Sequence, residues 1–352
     1  MSVPASLRSG AVSLAQGQGG VETWELLQAL VFSRVKLGRV GEGVGLDWPD
    51  DGATIPLPDG THLVVTVDSY TVNPPFFPGG NIGSLAAAGT INDVVVMGGR
   101  PLAALDSVVV EEGFPLGDLE VIIESFVSTL EQNGVALIGG DFKVMPKGQI
   151  DRITITAVGV GIAKHPIVDK PKPGDKLIVT GPVGDHGAVI LLLQMGLERA
   201  EELSHGLLRS DARPLTPLVN VLEKHHAHVH AARDPTRSGV AGTLSEWAKS
   251  TGTIIVLDGG SIPVREPVRK YAEMLGVDPL YLASEGAAVL SVSPEAAGEV
   301  LEDLRASGFE EAAVIGEVRA SERYRGLVLL KTEVGGHRIL EPPRGVLVPR
   351  IC

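Results

Sequence analysis

Cysteine occurs once in this 352-residue chain, at Cys352, which excludes internal disulfides and metal centres built from several thiolates. Aromatic residues make up only 4% against 44% hydrophobic, so the core is expected to rest on Val, Leu, Ile and Ala. No apolar run approaches the ~20 residues that span a bilayer, and the N-terminus carries no charged-then-apolar leader. Basic residues are outnumbered, 30 against 43 acidic, for a net charge of −13. That balance argues against a nucleic acid or an anionic membrane surface as partner. A soluble cytoplasmic protein is expected. Two common nucleotide signatures are also missing: there is no P-loop and no dinucleotide glycine fingerprint in a strand–turn–helix setting.

What is present is glycine, 44 residues of it, too much for a helix bundle and suited to many turns and close backbone approaches. The first twenty residues are small and polar and end in Gln16-Gly17-Gln18-Gly19-Gly20, read as a mobile lead-in able to close over a ligand. A helical stripe follows at Trp24, Leu27, Val31 and Val35. Strands are expected at His62–Val67, Leu102–Val110, Val135–Ile138 and Arg152–Val160, with a helix capped by Asn81 running to Met97 and another over Leu119–Leu130. The run Lys170-Pro171-Lys172-Pro173-Gly174 reads as a hinge, after which mixed strands and helices restart. The expected fold class is α+β: two mixed domains, at 41–166 and 167–335, preceded by a flexible segment and helix (1–40) and followed by a flexible tail (336–352).

Acidic residues recur at the ends of apolar segments, or within one, where a core would not ask for them. Asp51 precedes a strand, Asp68 ends Leu63-Val64-Val65-Thr66-Val67, and Asp141 follows Gly139-Gly140. Asp93 projects from an otherwise apolar helical face with Ile82, Ala86, Gly89 and Val96, and Asp234 opens Asp234-Pro235-Thr236-Arg237-Ser238-Gly239. Buried carboxylates are costly unless paired or metal-bound. Hard oxygen ligands suit Mg2+, which bridges carboxylates to nucleotide phosphates. Any nucleotide site is therefore expected to be metal-led.

The tail offers the other candidate. Pro342, Pro343 and Pro349 forbid a helix over 338–352, and an extended segment of that length reaches ~45 Å. A lone thiol on such an arm suits a group carried between sites. With an ordinary thiol pKa of ~8.5 and its own carboxylate beside it, Cys352 reads as a passenger, not an activated nucleophile.

Taken together, Asp50-Asp51-Gly52-Ala53-Thr54-Ile55, Phe76 to Gly83, Gly89-Thr90-Ile91-Asn92-Asp93, Gly139 to Val144, Gly184-Asp185-His186-Gly187, Asp234 to Gly239 and the terminal Pro349-Arg350-Ile351-Cys352 resemble the hydrogenase-maturation carbamoyl dehydratases, HypE. The likeness runs from about residue 14 to the last one. The acidic and glycine motifs are shared with aminoimidazole ribonucleotide synthetase, selenophosphate synthetase and thiamine-phosphate kinase; the Cys tail is not.

The resemblance implies ATP-dependent dehydration of an S-carbamoylated Cys352 to a thiocyanate, which supplies the cyanide ligand of a nickel–iron hydrogenase. It implies the aminoimidazole ribonucleotide synthetase-like fold, an N-terminal domain that binds ATP and pairs into a homodimer, and ATP lying between domains and across the dimer. It assigns Asp51, Asp93 and Asp234 to Mg2+. Gly19, Gly20, Asp68, Thr90, Asn92, Asp141 and Thr236 go to ATP, and Lys143 and Glu285, with Cys352, to the chemistry. The implied partners are the carbamoyltransferase HypF and the HypC–HypD complex. The chain departs from the family's His-Gly-x-Gly-Gly at Gln16. A kinase-like relative acting on a small molecule and a non-catalytic carrier remain as alternatives. The run His225-His226-Ala227-His228-Val229-His230 would place three imidazoles on one face of a strand, a spacing able to chelate a metal but more simply a polar edge.

Overall fold

Asn81 begins the helix around which the N-terminal half is built. The structure, a computed structural model, describes residues 10–197, 203, 205–332 and 335–345; Cys352 and Pro349-Arg350-Ile351 lie outside them. Asn81 Oδ1 accepts from the amides of Gly83 (2.8 Å) and Ser84 (3.2 Å), and Ser84 Oγ accepts from the Asn81 amide at 3.0 Å. This reciprocal cap satisfies donors that the first turn would leave orphaned. The helix, α2 (Ile82–Val96; α1 is Val21–Leu27, continued to Phe32 as a wider turn), is buried along almost its whole length. It therefore needs no polar face.

One side of α2 lies on a five-stranded sheet of order β1-β2-β7-β5-β6, formed by β1 (Ala53–Pro56), β2 (His62–Tyr70), β5 (Arg100–Glu111), β6 (Ala136–Met145) and β7 (Ile153–Ala163). A short ribbon, β3 (Phe76–Phe77) with β4 (Gly80–Asn81), precedes the helix. The next helix, α3 (Leu116–Gln132), crosses α2 closely. A Cβ on Gly83 would lie 2.0 Å from the Ile122 carbonyl oxygen, so only glycine admits that approach. β6 begins one residue after the expected start at Val135 and runs seven residues past the expected end at Ile138, taking in Gly139 to Val144, and is exposed along nearly all of its length.

A seven-stranded sheet of order β14-β13-β10-β12-β8-β11-β9 carries the second half. Its strands are β8 (Lys176–Val179), β9 (Val229–Arg233), β10 (Ile254–Asp258), β11 (Val289–Val292), β12 (Ala313–Arg319), β13 (Leu327–Lys331) and β14 (His337–Leu340). The helices are α4 (Asp185–Gln194), α5 (Leu218–Lys224), α6 (Gly239–Thr251), α7 (Glu266–Leu275) and α8 (Ala297–Ala306). One apolar cluster is continuous from Tyr70, Ile82 and Phe126 to Val189, Leu222 and Leu304, so the two halves share a core.

Three expectations change. The proline-rich connection is not a free hinge: Ile167 N donates to Met97 O, Lys170 N to His230 O (both 3.0 Å), and Asp169 accepts from Trp247 Nε1 at 2.6 Å. The tail is not free from 336, because His337–Leu340 pairs antiparallel with β13. The histidines do not converge. His225 meets Asp303 (2.6 Å), His226 stacks on His165 (3.8 Å between centroids), His228 meets Ser293 (2.9 Å) and His230 meets Asp175 (2.9 Å). His225, Glu299 and Asp303 are close enough to share a cation, but Lys224 Nζ already lies 2.9 Å from Glu299 and 2.6 Å from Asp303.

Gly83→Ala should force α2 and α3 apart and cost about 1–3 kcal/mol, the usual range for overpacking. Gly117→Ala, whose Cβ meets nothing within 4 Å, should stay within about 0.5 kcal/mol of the parent in the same denaturant titration.

Candidate active site

Thr66 and Asp68 alternate along β2 onto the face that α2 covers, so the strand's period of two turns both toward Asp93. Thr66 Oγ1 lies 2.7 Å from Asp93 Oδ2 and 2.8 Å from the Asp51 carbonyl oxygen. That hydroxyl joins strand, helix and the loop before β1. From the second sheet, Asp234 arrives at the end of β9, where the Thr236 amide donates to the Asp234 carbonyl at 3.0 Å. Glu285 comes from the turn before β11 and is 1% exposed.

These carboxylates raise one another. Burial lifts Asp93 well above the usual carboxylate range, and Asp68, Asp234 and Asp51 add to it against the hydrogen bond from Thr66. Burial also lifts Asp51, opposed by Arg233 and reinforced by Asp234 and Asp50. Asp234 is pushed up to about 8, by burial first and then by Glu285 and Asp68. Asp68 rises through burial, with Arg237 (3.6 Å away) opposing.

Beside this cluster lies a cation that sequence reading missed. Arg233 is 2.8 Å from Asp169, 2.7 Å from Glu246, 3.3 Å from Asp51 and 3.6 Å from Asp50. It neutralises part of the charge and orients Asp51, yet it leaves two oxygens unsatisfied. Asp51 Oδ2 and Asp234 Oδ2 are buried without a hydrogen-bond partner among the described residues. Buried orphans of this kind cost about 1–3 kcal/mol each, and more when charged. A hard divalent cation bound by oxygen removes both penalties, so the donor set of Asp51, Asp93 and Asp234 fits Mg2+.

Other expected residues are placed differently. Asn92 is fully buried and its amide is spent on backbone: Nδ2 donates to Arg213 O and Glu285 O (both 3.1 Å), and Oδ1 accepts from Leu215 N at 2.7 Å. It positions Glu285 and has no donor left for a phosphate. Thr90 is buried with its hydroxyl 3.5 Å from Tyr70 Oη. Asp141 and Lys143 are exposed on β6. Asp68 aligns with Ala157, Asp106 and then Gly140, so three strand spacings, roughly 14 Å, separate β2 from β6. Asp141 and Lys143 also project from the face opposite to Asp68. One protomer does not bring them to the carboxylates.

The end of the lead-in, Gln16 to Gly20, is packed, not loose. Ser238 Oγ donates to Gln18 O at 3.4 Å, and a Cβ on Gly19 would lie 3.1 Å from Arg237 Cβ. Gln16 caps the turn it belongs to, accepting from Ser13 N at 2.9 Å. Asp185 and His186 lie in the buried first turn of α4: Asp185 pairs with Arg265 at 2.8 Å, and His186, held neutral by burial with a pKa of about 3, contacts Ser210 at 2.8 Å. A cavity of about 470 Å3 bordered by Asp185, Asp211, Arg213 and Arg265 contains none of the clustered carboxylates.

Two joined α/β units with a carboxylate cleft between them define a class. Residues 49–163 match the N-terminal domain of AIR synthase related proteins, and residues 172–328 match the C-terminal domain. Within that class the chain belongs to the carbamoyl dehydratase HypE family of enzymes. It is 39% identical over 350 residues to carbamoyl dehydratase HypE of Azotobacter vinelandii, covering 98% of each chain. A crystal structure of HypE in complex with ATP matches with a TM-score of 0.77 at 35% identity, over 97% of this chain and all of that one. HypE in a HypE–HypF complex matches with a TM-score of 0.77 at 36% identity, over 84% and 93% of the two chains. The family resemblance and the two-unit α+β fold are thus borne out. Among the described residues no helix is long and apolar enough to cross a membrane.

A carboxyl whose pKa in the folded state exceeds its unfolded value opposes folding increasingly as pH rises between the two. For Asp234 that window runs from about 4 to about 8. Asp234→Asn should therefore raise the thermal midpoint of metal-free protein more at pH 8 than at pH 5.

Proposed function

We propose that this chain dehydrates its own S-carbamoylated Cys352 to a thiocyanate at the expense of ATP, in hydrogenase maturation. The observation that carries the reading is the placement of the tail's root beside the carboxylate cluster. The Pro343 carbonyl accepts from Val21 N at 3.1 Å, Gly19 packs on Arg237, and Arg237 reaches Asp68. Cys352 follows nine residues after Pro343, a span of at most about 30 Å.

In this mechanism Asp51, Asp93 and Asp234 would hold Mg2+, which would supply charge neutralisation on the triphosphate. The carbamoyl oxygen attacks the γ-phosphorus and ADP departs. Two protons leave the nitrogen as the carbon–oxygen bond breaks, phosphate carries the oxygen away, and a carbon–nitrogen triple bond remains on sulfur. Glu285, held through its backbone by Asn92 and by Asp211, accepts one of these protons, and the departing phosphate takes the other. Gly19, Gly20, Thr236 and Asp68 line the approach of the nucleotide. Phosphoryl transfer asks chiefly for such positioning and neutralisation.

Lys143 and Asp141 act on the second protomer of a homodimer. Sheet faces and edges left bare by one chain support this, with Val67 61%, Ile138 63%, Phe142 54% and Val144 55% exposed. Lys143 then neutralises charge on the transferred phosphoryl across the interface. The carbamoyl group is taken from HypF, the cyano group passes to HypC–HypD, and the work is cytoplasmic.

Intact mass after incubation with HypF, a carbamoyl donor and ATP should show a carbamoyl adduct that loses one water, and Asp93→Asn should stop at the adduct. Phosphate release that persists without Cys352 would point instead to a small-molecule kinase. Mixing inactive Lys143→Ala and Asp93→Asn chains should restore part of the activity, because the mixed dimer holds one complete site; a mixture as inactive as its parents refutes the shared site.

A further inference from the structure

β14 ends at Leu340, 1% exposed, and the chain leaves the sheet at Glu341. Tyr281 Oη donates to the Glu341 carbonyl oxygen at 2.8 Å. Two residues on, Val21 N takes the Pro343 carbonyl, and Pro343 itself is buried. A Cβ on Gly20 would lie 2.7 Å from that same carbonyl oxygen. Immediately upstream, Arg338 pairs with Asp278. Asp278 also caps the short turn Pro279–Tyr281, accepting from Leu280 N at 3.0 Å. One carboxylate thus orients the tyrosine's turn and grips the strand that feeds the tail. A merely frayed terminus has no use for a buried proline with its carbonyl seated on an amide.

We propose that Tyr281 and the Gly20–Val21 step are positioning residues of the dehydration, a clamp that fixes the root of the tail. The inference rests on the reading that Cys352 is the carried group. Neither element touches a reacting atom. The clamp moves the pivot from Leu340 to Pro343, onto the segment whose next residues, Gly19 and Gln18, pack against Arg237 and Ser238 beside Asp234. It thereby narrows the volume the sulfur must search, which acts as raised effective concentration and not as tighter nucleotide binding.

Amide hydrogen exchange at Val21, whose N–H is bonded to the Pro343 carbonyl, read on the full chain, tests the clamp directly. Tyr281→Phe keeps the ring and removes one hydrogen bond, so exchange should accelerate about two- to tenfold. Gly20→Ala, whose backbone angles suit alanine but whose Cβ strikes Pro343, should do the same. In single-turnover mass measurements on carbamoylated protein, Tyr281→Phe should slow water loss by a similar factor while the ATP concentration giving half-maximal rate stays put. Unchanged exchange in both variants overturns the clamp. Faster exchange with undiminished water loss overturns its positioning role. If carbamoylated parent protein loses no water with ATP, the dehydratase reading fails separately, and exchange still decides whether the root is clamped.

Discussion

Arg233 is the contact on which the two halves depend. Its guanidinium reaches Asp50 and Asp51 before the first sheet, Asp169 in the connection and Glu246 on α6. Removing a buried cation that serves several carboxylates leaves charges uncompensated, a loss typically larger than the net worth of the pair. The connection cannot act as a hinge while Asp169 is held by Arg233 and Trp247 together. Rigidity between the halves thus has an electrostatic part beside their shared apolar core.

That arrangement also explains why the carboxylates can be gathered without collapsing into paired, spent groups. Asp51 shares Arg233, but Asp93 is buried within the field of Asp68, Asp234 and Asp51, and Asp234 within that of Glu285 and Asp68. Such repulsion is tolerated where a bound cation relieves it. The neighbouring carboxylates at Asp175 and Asp211 behave differently: each accepts several hydrogen bonds, from His230, Ser291 and Lys172 or from His186, Glu285 and Gly286. The satisfied oxygens of Asp175 and Asp211 hold structure, whereas Asp51 Oδ2 and Asp234 Oδ2, side by side in one cluster, are left open to a ligand.

Much of this was legible in the chain. Asn81 capping, the apolar run around Asp93 and the alternation of β2 and β7 are local, and local periodicity exposes them. The gathering of Asp51, Asp68, Asp93 and Asp234 was visible in the residues themselves as a recurrence of acids at segment ends, and the family resemblance alone assigned them to one site. Arg233 was invisible because nothing in Ala231-Ala232-Arg233 distinguishes a buried guanidinium from a surface one. Asn92 misled for a related reason: an amide beside a metal-ligand candidate suggests phosphate, whereas its partners at Arg213, Leu215 and Glu285 are over a hundred residues away. The extra length of β6 escaped because Gly139, Gly140 and Asp141 disfavour strands in isolation, and pairing with β5 overrides that preference.

The three hydrogen bonds of Asn92 have a mechanical result. One of them ties the backbone of Glu285 to the residue adjoining Asp93, so two buried carboxylates contributed by different halves travel as one solid piece. Thermal breathing between the halves then leaves the spacing of those two carboxylates unaltered, and a single carboxamide serves as the gauge block.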